Sequence, residues 1–126
     1  MSIYTHVAIG ANNLEQSRRF YDAVLGALGL KRLGDLPNAS FYGAQVPELL
    51  ITKPIDGKPA SAGNGMTVSF ACASRSAVDA FHAAALSNGG SCAGEPGPRP
   101  VAPTAYGAYV RDPDGNKLAT YCYAAQ

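Results

Sequence analysis

His6, Thr67, Arg99, Tyr106 and Tyr121 are the side chains of this chain whose types and settings could do chemistry. His6 stands in an alternating run, Tyr4-Thr5-His6-Val7-Ala8, and so shares one strand face with Tyr4 and Ala8. An imidazole can take or give a proton near neutral pH, which makes His6 the candidate general base or a donor lining a pocket. Arg99, in a proline-rich segment, carries a rigid fork of donors that suits an acidic or carbonyl-bearing ligand. Tyr106 and Tyr121 fall in strand-like runs and could turn hydroxyls toward the same ligand. Each has a plainer reading beside it: a histidine satisfied by a polar neighbour, a solvated loop arginine, tyrosines in a core or interface. His82, next to Phe81 on a helix-like segment, reads as a surface or half-buried residue.

Other chemistries lack their residues. Asp112 and Asp114 look like paired carboxylates, but their Asp-Pro-Asp-Gly setting is better explained as turn chemistry. Gly89-Gly90 and Gly94 match no phosphate-cradling loop, and neither an H-E-x-x-H helix nor a nucleophile elbow is present. Cys72, Cys92 and Cys122 are odd in number and widely spaced, which fits reduced thiols better than a disulfide framework or a zinc knuckle. Cys122, in an apolar run, reads as a buried inert thiol. With a net charge of +1 and 15% charged residues in no run, nothing makes the basic stripe that nucleic acid requires. No apolar stretch approaches a membrane span, and the N-terminus has no basic region leading an apolar run. A cytoplasmic protein with no nucleic-acid and no membrane partner is expected.

The elements that must position these residues come in two similar sets. Residues 3–9 read as a strand, and Asn12 with Glu15 as a capping box. Leu14, Tyr21, Val24, Leu25 and Leu28 then repeat at helical spacing over residues 14–28, with Gly29 in the place of a left-handed cap. Short strands follow from Lys31, at 40–43 and at 48–52. Residues 54–65, with three glycines and two prolines, read as a surface loop. A second series follows: a strand at 66–72, a helix capped by Ser76 and stopped by Asn88-Gly89-Gly90, and strands at 105–111 and 117–123 around the Asp112–Asn116 turn. Pro96, Pro98, Pro100 and Pro103 make residues 94–103 an expected ordered loop lying over a pocket.

Sliding one series so that His6 falls on Thr67 also puts Phe20 on Phe81. The chain therefore reads as a β-α-β-β-β unit repeated once. The expected class is α+β: two modules forming a curved, mostly antiparallel sheet around a cavity, helices outside. A single domain is expected over residues 1–126, with module one at about 1–54, the linker at about 55–65 and module two at about 66–126, because neither half has enough residues to fold comfortably alone.

His6-Val7-Ala8-Ile9 before Asn13-Leu14-Glu15-Gln16-Ser17, then Phe20-Tyr21 to Leu28-Gly29-Leu30, and Arg111-Asp112-Pro113-Asp114-Gly115-Asn116 together resemble the vicinal oxygen chelate superfamily. That superfamily includes glyoxalase I, extradiol dioxygenases and bleomycin-resistance proteins. The resemblance spans nearly the whole chain and implies cup-shaped half-barrels around a cavity, commonly in a homodimer. Family enzymes hold a divalent metal through four positions on the cavity-facing strands and use it as a Lewis acid. By the resemblance those positions fall on His6, Leu50, Thr67 and Ala119, with Glu48 as the alternative to Leu50. Leucine and alanine offer no donor and a threonine hydroxyl is a poor ligand, so the usual metal site reads as largely lost, with no metal and no cofactor. The expectation is a protein that binds a small, partly apolar molecule between the modules through His6, Thr67, Arg99, Tyr106 and Tyr121. The alternative is a metal-dependent lyase, isomerase or dioxygenase of the same superfamily.

Overall fold

The structure is a computed structural model that describes residues 2–125. The chain runs β1 (Val7–Gly10), α1 (Leu14–Gly26), β2 (Lys31–Leu36), β3 (Ala39–Gly43), β4 (Leu49–Thr52), β5 (Val68–Ala71), α2 (Arg75–Ser87), β6 (Ser91–Pro98), β7 (Tyr106–Arg111) and β8 (Lys117–Cys122). The α+β class and the two β-α-β-β-β modules are as expected. The strands form two four-stranded sheets, ordered β1-β4-β3-β2 and β5-β8-β7-β6. In each, the first strand pairs parallel with the last of its module and the other pairings are antiparallel. β1 and β5 each keep one free edge.

Both helices follow from apolar spacing and local caps. Phe20, Tyr21, Val24 and Leu25 of α1 are fully buried, as are Val78, Phe81 and Ala85 of α2. The two helices end alike: Leu30 N donates to Leu25 O and Gly90 N to Ala85 O, both at 2.9 Å. Gly29 and Gly89 sit between at φ +80° and +91°, a conformation that side chains with a Cβ resist.

Four expectations are corrected. β1 begins at Val7, so His6 precedes the strand. Asn13 caps α1, accepting from Gln16 N at 3.0 Å, while the Asn12 side chain is held by Ala60 and Asp114. Ser74 caps α2 and accepts from Ala77 N at 3.2 Å, two residues earlier than the expected cap at Ser76. The proline-rich stretch is half strand: β6 runs through Pro96 and Pro98. Prolines are tolerated there because β6 is the outer strand of its sheet and its pairing with β7 is irregular at two points.

One apolar core joins the modules, with Ile9, Phe20, Tyr21, Leu25 and Ile51 packed in the same cluster as Phe81, Ala85, Val110 and Leu118. A polar clasp beside it has the Asp112 turn at its centre. Asp112 Oδ1 accepts from Asp114 N and Asn116 N, each at 2.9 Å, and Oδ2 accepts from the Tyr21 hydroxyl at 2.6 Å. Asn116 Nδ2 reaches Gly10 O at 3.1 Å, and Asn12 Nδ2 reaches Asp114 Oδ1 at 2.9 Å. The two aspartates thus serve the turn and bolt it to module one.

Candidate functional site

Strand alternation decides which side chains face away from the helices. In β8, Leu118 and Cys122 pack in the core clusters under the helices, and Cys122 is fully buried. Ala119 and Tyr121 therefore lie on the opposite face, with Tyr109 of β7 paired to Ala119. There the Tyr109 and Tyr121 hydroxyls are 2.7 Å apart and their rings meet edge-on at 5.9 Å. Tyr123 stacks on Tyr121 at 5.7 Å. Two cations sit over the Tyr109 ring: the Arg99 guanidinium at 5.6 Å and the Lys117 ammonium at 5.0 Å from its centroid.

Two glycines make this crowding possible. A Cβ at Gly107 would stand 3.1 Å from the Tyr121 ring, and one at Gly94 would stand 3.2 Å from Tyr109 and 3.3 Å from Arg99. The hydrogen bond with Tyr109, with some loss of solvent, pushes the Tyr121 phenol up to about 12, so it is neutral and able to donate through the physiological range. Arg99 donates through Nη2 to Glu95 O, while its Nε is buried with no hydrogen-bond partner. A buried guanidinium N–H without an acceptor is free for a carbonyl or carboxylate.

On the other side of β5 lies a cavity of about 650 Å³ between the modules. Val7, Leu25, Leu30, Leu49, Val68 and Phe70 give it apolar walls, with Thr67, Glu48 and Tyr42 as its polar points. Ser69, Phe70 and Ala71 line this cavity and also a shallower one shared with Tyr121 and Tyr123. The surface therefore continues round the free edge of β5 from the apolar cavity to the tyrosine face.

The five expected site residues divide. Arg99 and Tyr121 are brought together through Tyr109, and Thr67 lies at the cavity rim. His6 is exposed, with Nδ1 3.2 Å from the hydroxyl of its neighbour Thr5, and lines none of these cavities. Tyr106 points the other way: its hydroxyl donates to Asp79 of α2 at 2.7 Å and the Arg75 guanidinium lies over its ring at 5.1 Å. Tyr109 and Lys117 were missed by the sequence reading; alternation with Tyr121 across the hairpin was the available signal.

The register also tests a metal. Ala8 pairs with Leu50 and Ser69 with Ala119, so each of those two positions lies opposite the strand that opens its module. Ala119 is fully buried and Leu50 half-buried, and neither has a donor atom. The set His6, Leu50, Thr67 and Ala119 does not fit a divalent cation.

The family model described as Glyoxalase/Bleomycin resistance protein/Dioxygenase superfamily matches residues 3–120. The chain belongs to that superfamily. It is 44% identical to a glyoxalase/bleomycin resistance protein from Albidiferax ferrireducens T118, over 98% of this chain and 100% of that one, with a TM-score of 0.88. A glyoxalase-related enzyme from Fulvimarina pelagi shares the fold at 20% identity and TM-score 0.76, over 97% of this chain and 88% of that one. A lactoylglutathione lyase from Agrobacterium tumefaciens does so at 22% and 0.66, over 95% and 92%. No curated protein matches the chain. Among the described residues no helix is long and apolar enough to cross a membrane.

Proposed function

We propose that this superfamily member binds a small, partly apolar molecule between its modules without using the family's metal chemistry. The observation that carries this reading is the surface around the free edge of β5. An apolar cavity of about 650 Å³ adjoins a face where Arg99 and the Tyr109–Tyr121 pair offer donors. That volume lies within the roughly 300–1,000 Å³ of small-molecule sites, and a few oriented polar groups in an apolar pocket supply direction. The apolar body of the ligand occupies the cavity, with Thr67 at its rim. Its acidic or carbonyl end reaches Arg99 Nε and the Tyr121 hydroxyl. Tyr106 is left out of this site, and His6 acts only if a second copy of the chain brings it to the cup. A cytoplasmic homodimer forming one domain per chain is part of the same proposal.

A panel of aromatic carboxylates and dicarbonyl compounds, screened by thermal shift and then titrated by calorimetry, tests this. Thr67→Trp should fill the rim and weaken the best compound more than tenfold, with the Tm of the free protein little changed because Thr67 is exposed. Arg99→Ala should weaken carboxylates by tenfold or more, as expected for a charge-assisted hydrogen bond of about 1.5–3 kcal/mol. Binding untouched by both substitutions would place the site elsewhere. Turnover of a carbonyl substrate that needs metal and disappears in His6→Ala would favour the metal-dependent alternative; the 3.0 Å bond from Val7 N to Glu48 O, which brings Glu48 beside the residue after His6, is what speaks for it.

A further inference from the structure

A second set of ligating side chains lies on the side of β6 that faces α2, with no residue in common with the cavity or the tyrosine face. His82 of α2 is buried more deeply than the surface or half-buried position expected of it: its side chain is 8% exposed, and its Nε2 has no hydrogen-bond partner. That nitrogen stands 3.8 Å from Glu95 Oε2. Glu95 Oε1 in turn stands 3.7 Å from Cys92 Sγ. One ligand atom from each of the three residues falls within 4.8 Å of the others.

The strand is built to bring them together. Residues 92 and 95 of a regular strand would point to opposite faces. Here Cys92 pairs with Val110 but Gly94 with Tyr109, so β6 carries one extra residue between them. The bulge reverses the alternation and turns Cys92 and Glu95 toward His82. Re-aiming a side chain is a recurrent use of such bulges beside functional sites.

We propose that His82 Nε2, Cys92 Sγ and the Glu95 carboxylate hold one divalent transition ion, zinc foremost, with a fourth position open to water. Zinc bonds of about 2.0–2.3 Å set the edges of a tetrahedral site at about 3.4–3.6 Å, so the 3.8 and 3.7 Å separations that His82 and Cys92 make with Glu95 need close by only a few tenths of an ångström. A mixed nitrogen, sulfur and oxygen set suits zinc or cobalt(II), and it excludes magnesium and calcium, which take oxygen alone. Binding releases the Cys92 thiol proton to solvent and forms the metal–thiolate bond. The exposed Cys92 and Glu95 give the ion its path in, and the buried imidazole gains the partner it lacks. Because the Glu95 carbonyl accepts from Arg99, the ion also ties α2 to the strand that aims Arg99 at the opposite face.

Tag-free protein stripped with chelator is titrated with cobalt(II) and with zinc. The expected results are one ion per chain, a thiolate-to-cobalt charge-transfer band, and a rise in Tm of about 5–10 °C at zinc a hundredfold above its Kd. Cys92→Ser should abolish the band and weaken zinc at least tenfold, and Glu95→Gln should weaken it likewise. Both residues are exposed, so these variants fold where His82→Ala risks the core. His6→Ala should leave binding unchanged. Cobalt(II) bound without a thiolate band, or zinc retained at full affinity in Cys92→Ser, overturns the proposal. Zinc lost in His6→Ala but kept in Cys92→Ser overturns it too and also sinks the metal-independent reading, whereas the reverse pattern supports this site and leaves that reading standing.

Discussion

Tyr21 shows how much one side chain can hold when it is paired with a buried charge. Its hydroxyl donates to Asp112 at 2.6 Å inside the core that joins the modules. Tyr21→Phe keeps the ring and removes only that donor. It should lower stability by about 1.5–3 kcal/mol, the worth of a hydrogen bond to a charged group, read as a lower denaturant midpoint with an unchanged slope. Burial first, and the Asp112 charge second, hold the Tyr21 phenol well above its usual value. Tyr121 is raised to about 12 by its bond with Tyr109. Phenols raised on folding give stability that is whole below about pH 10 and is lost as pH climbs through the folded values. Tm should therefore hold from pH 8 to 10 and fall steeply above. Tyr109→Phe should bring the Tyr121 phenolate absorbance down toward the ordinary range, and an unmoved titration would show the hydroxyl pair to be unimportant. The aspartate turn was legible because Asp-Pro-Asp-Gly carries its chemistry within four residues. Its bond to Tyr21 was not, since nothing local marks a partner at the far end of the chain.

At the scale of elements, local signals were read well where the backbone itself makes the demand. Gly29 and Gly89 end the helices as their position suggested, and the apolar spacing of α1 and α2 became their buried faces. Caps shifted by one or two residues because Asn12 and Asn13, or Ser74 and Ser76, are chemically equivalent candidates. Only the fold decides that Asn12 is taken up by Ala60 and Asp114. β6 was missed for a related reason: proline argues against a strand only where a partner needs its N–H, and edge position is a tertiary fact. The same strand hid the Cys92–Glu95 pairing, since a bulge inverts the parity that sequence reading relies on. A tightly packed junction after α2 gives the test at this scale. A Cβ on Gly90 would meet Arg111 O and Phe20 Cε1 at 2.6 Å and Ala85 O at 2.9 Å. Two of those are carbonyl oxygens of the backbone and cannot swing aside. Gly90→Ala should cost about 1–3 kcal/mol, as overpacking does, with both modules loosened together. Gly26→Ala, with open space around it, should be neutral or slightly stabilising. Equal effects of the two would refute the packing argument.

For the molecule as a whole, the free edges of β1 and β5 set the question. An unpaired strand edge is a template for another chain, and proteins that leave one bare blunt it with charge, proline or cover. Here the approaches to both edges are apolar instead. Ile3 is 90% exposed, Tyr4 62% and Met66 54%, and no Asp, Glu, Lys or Arg lies in residues 1–14 or 59–74 around them. Tyr4 and Met66 also line the cavity between the modules. A second copy seated on these edges would cover these side chains and the mouth of the cavity that Tyr4 and Met66 line. Light scattering at micromolar concentration should then give twice the chain mass. Met66→Lys should shift that mass toward one chain and weaken the compounds bound in the cavity in the same step, because one residue serves both. Lys58→Glu, on the linker away from the cavity walls, should do neither. A wild-type mass of one chain at every concentration would remove the homodimer from the proposal. Loss of dimer with ligand binding intact would mean that each chain holds its cavity complete.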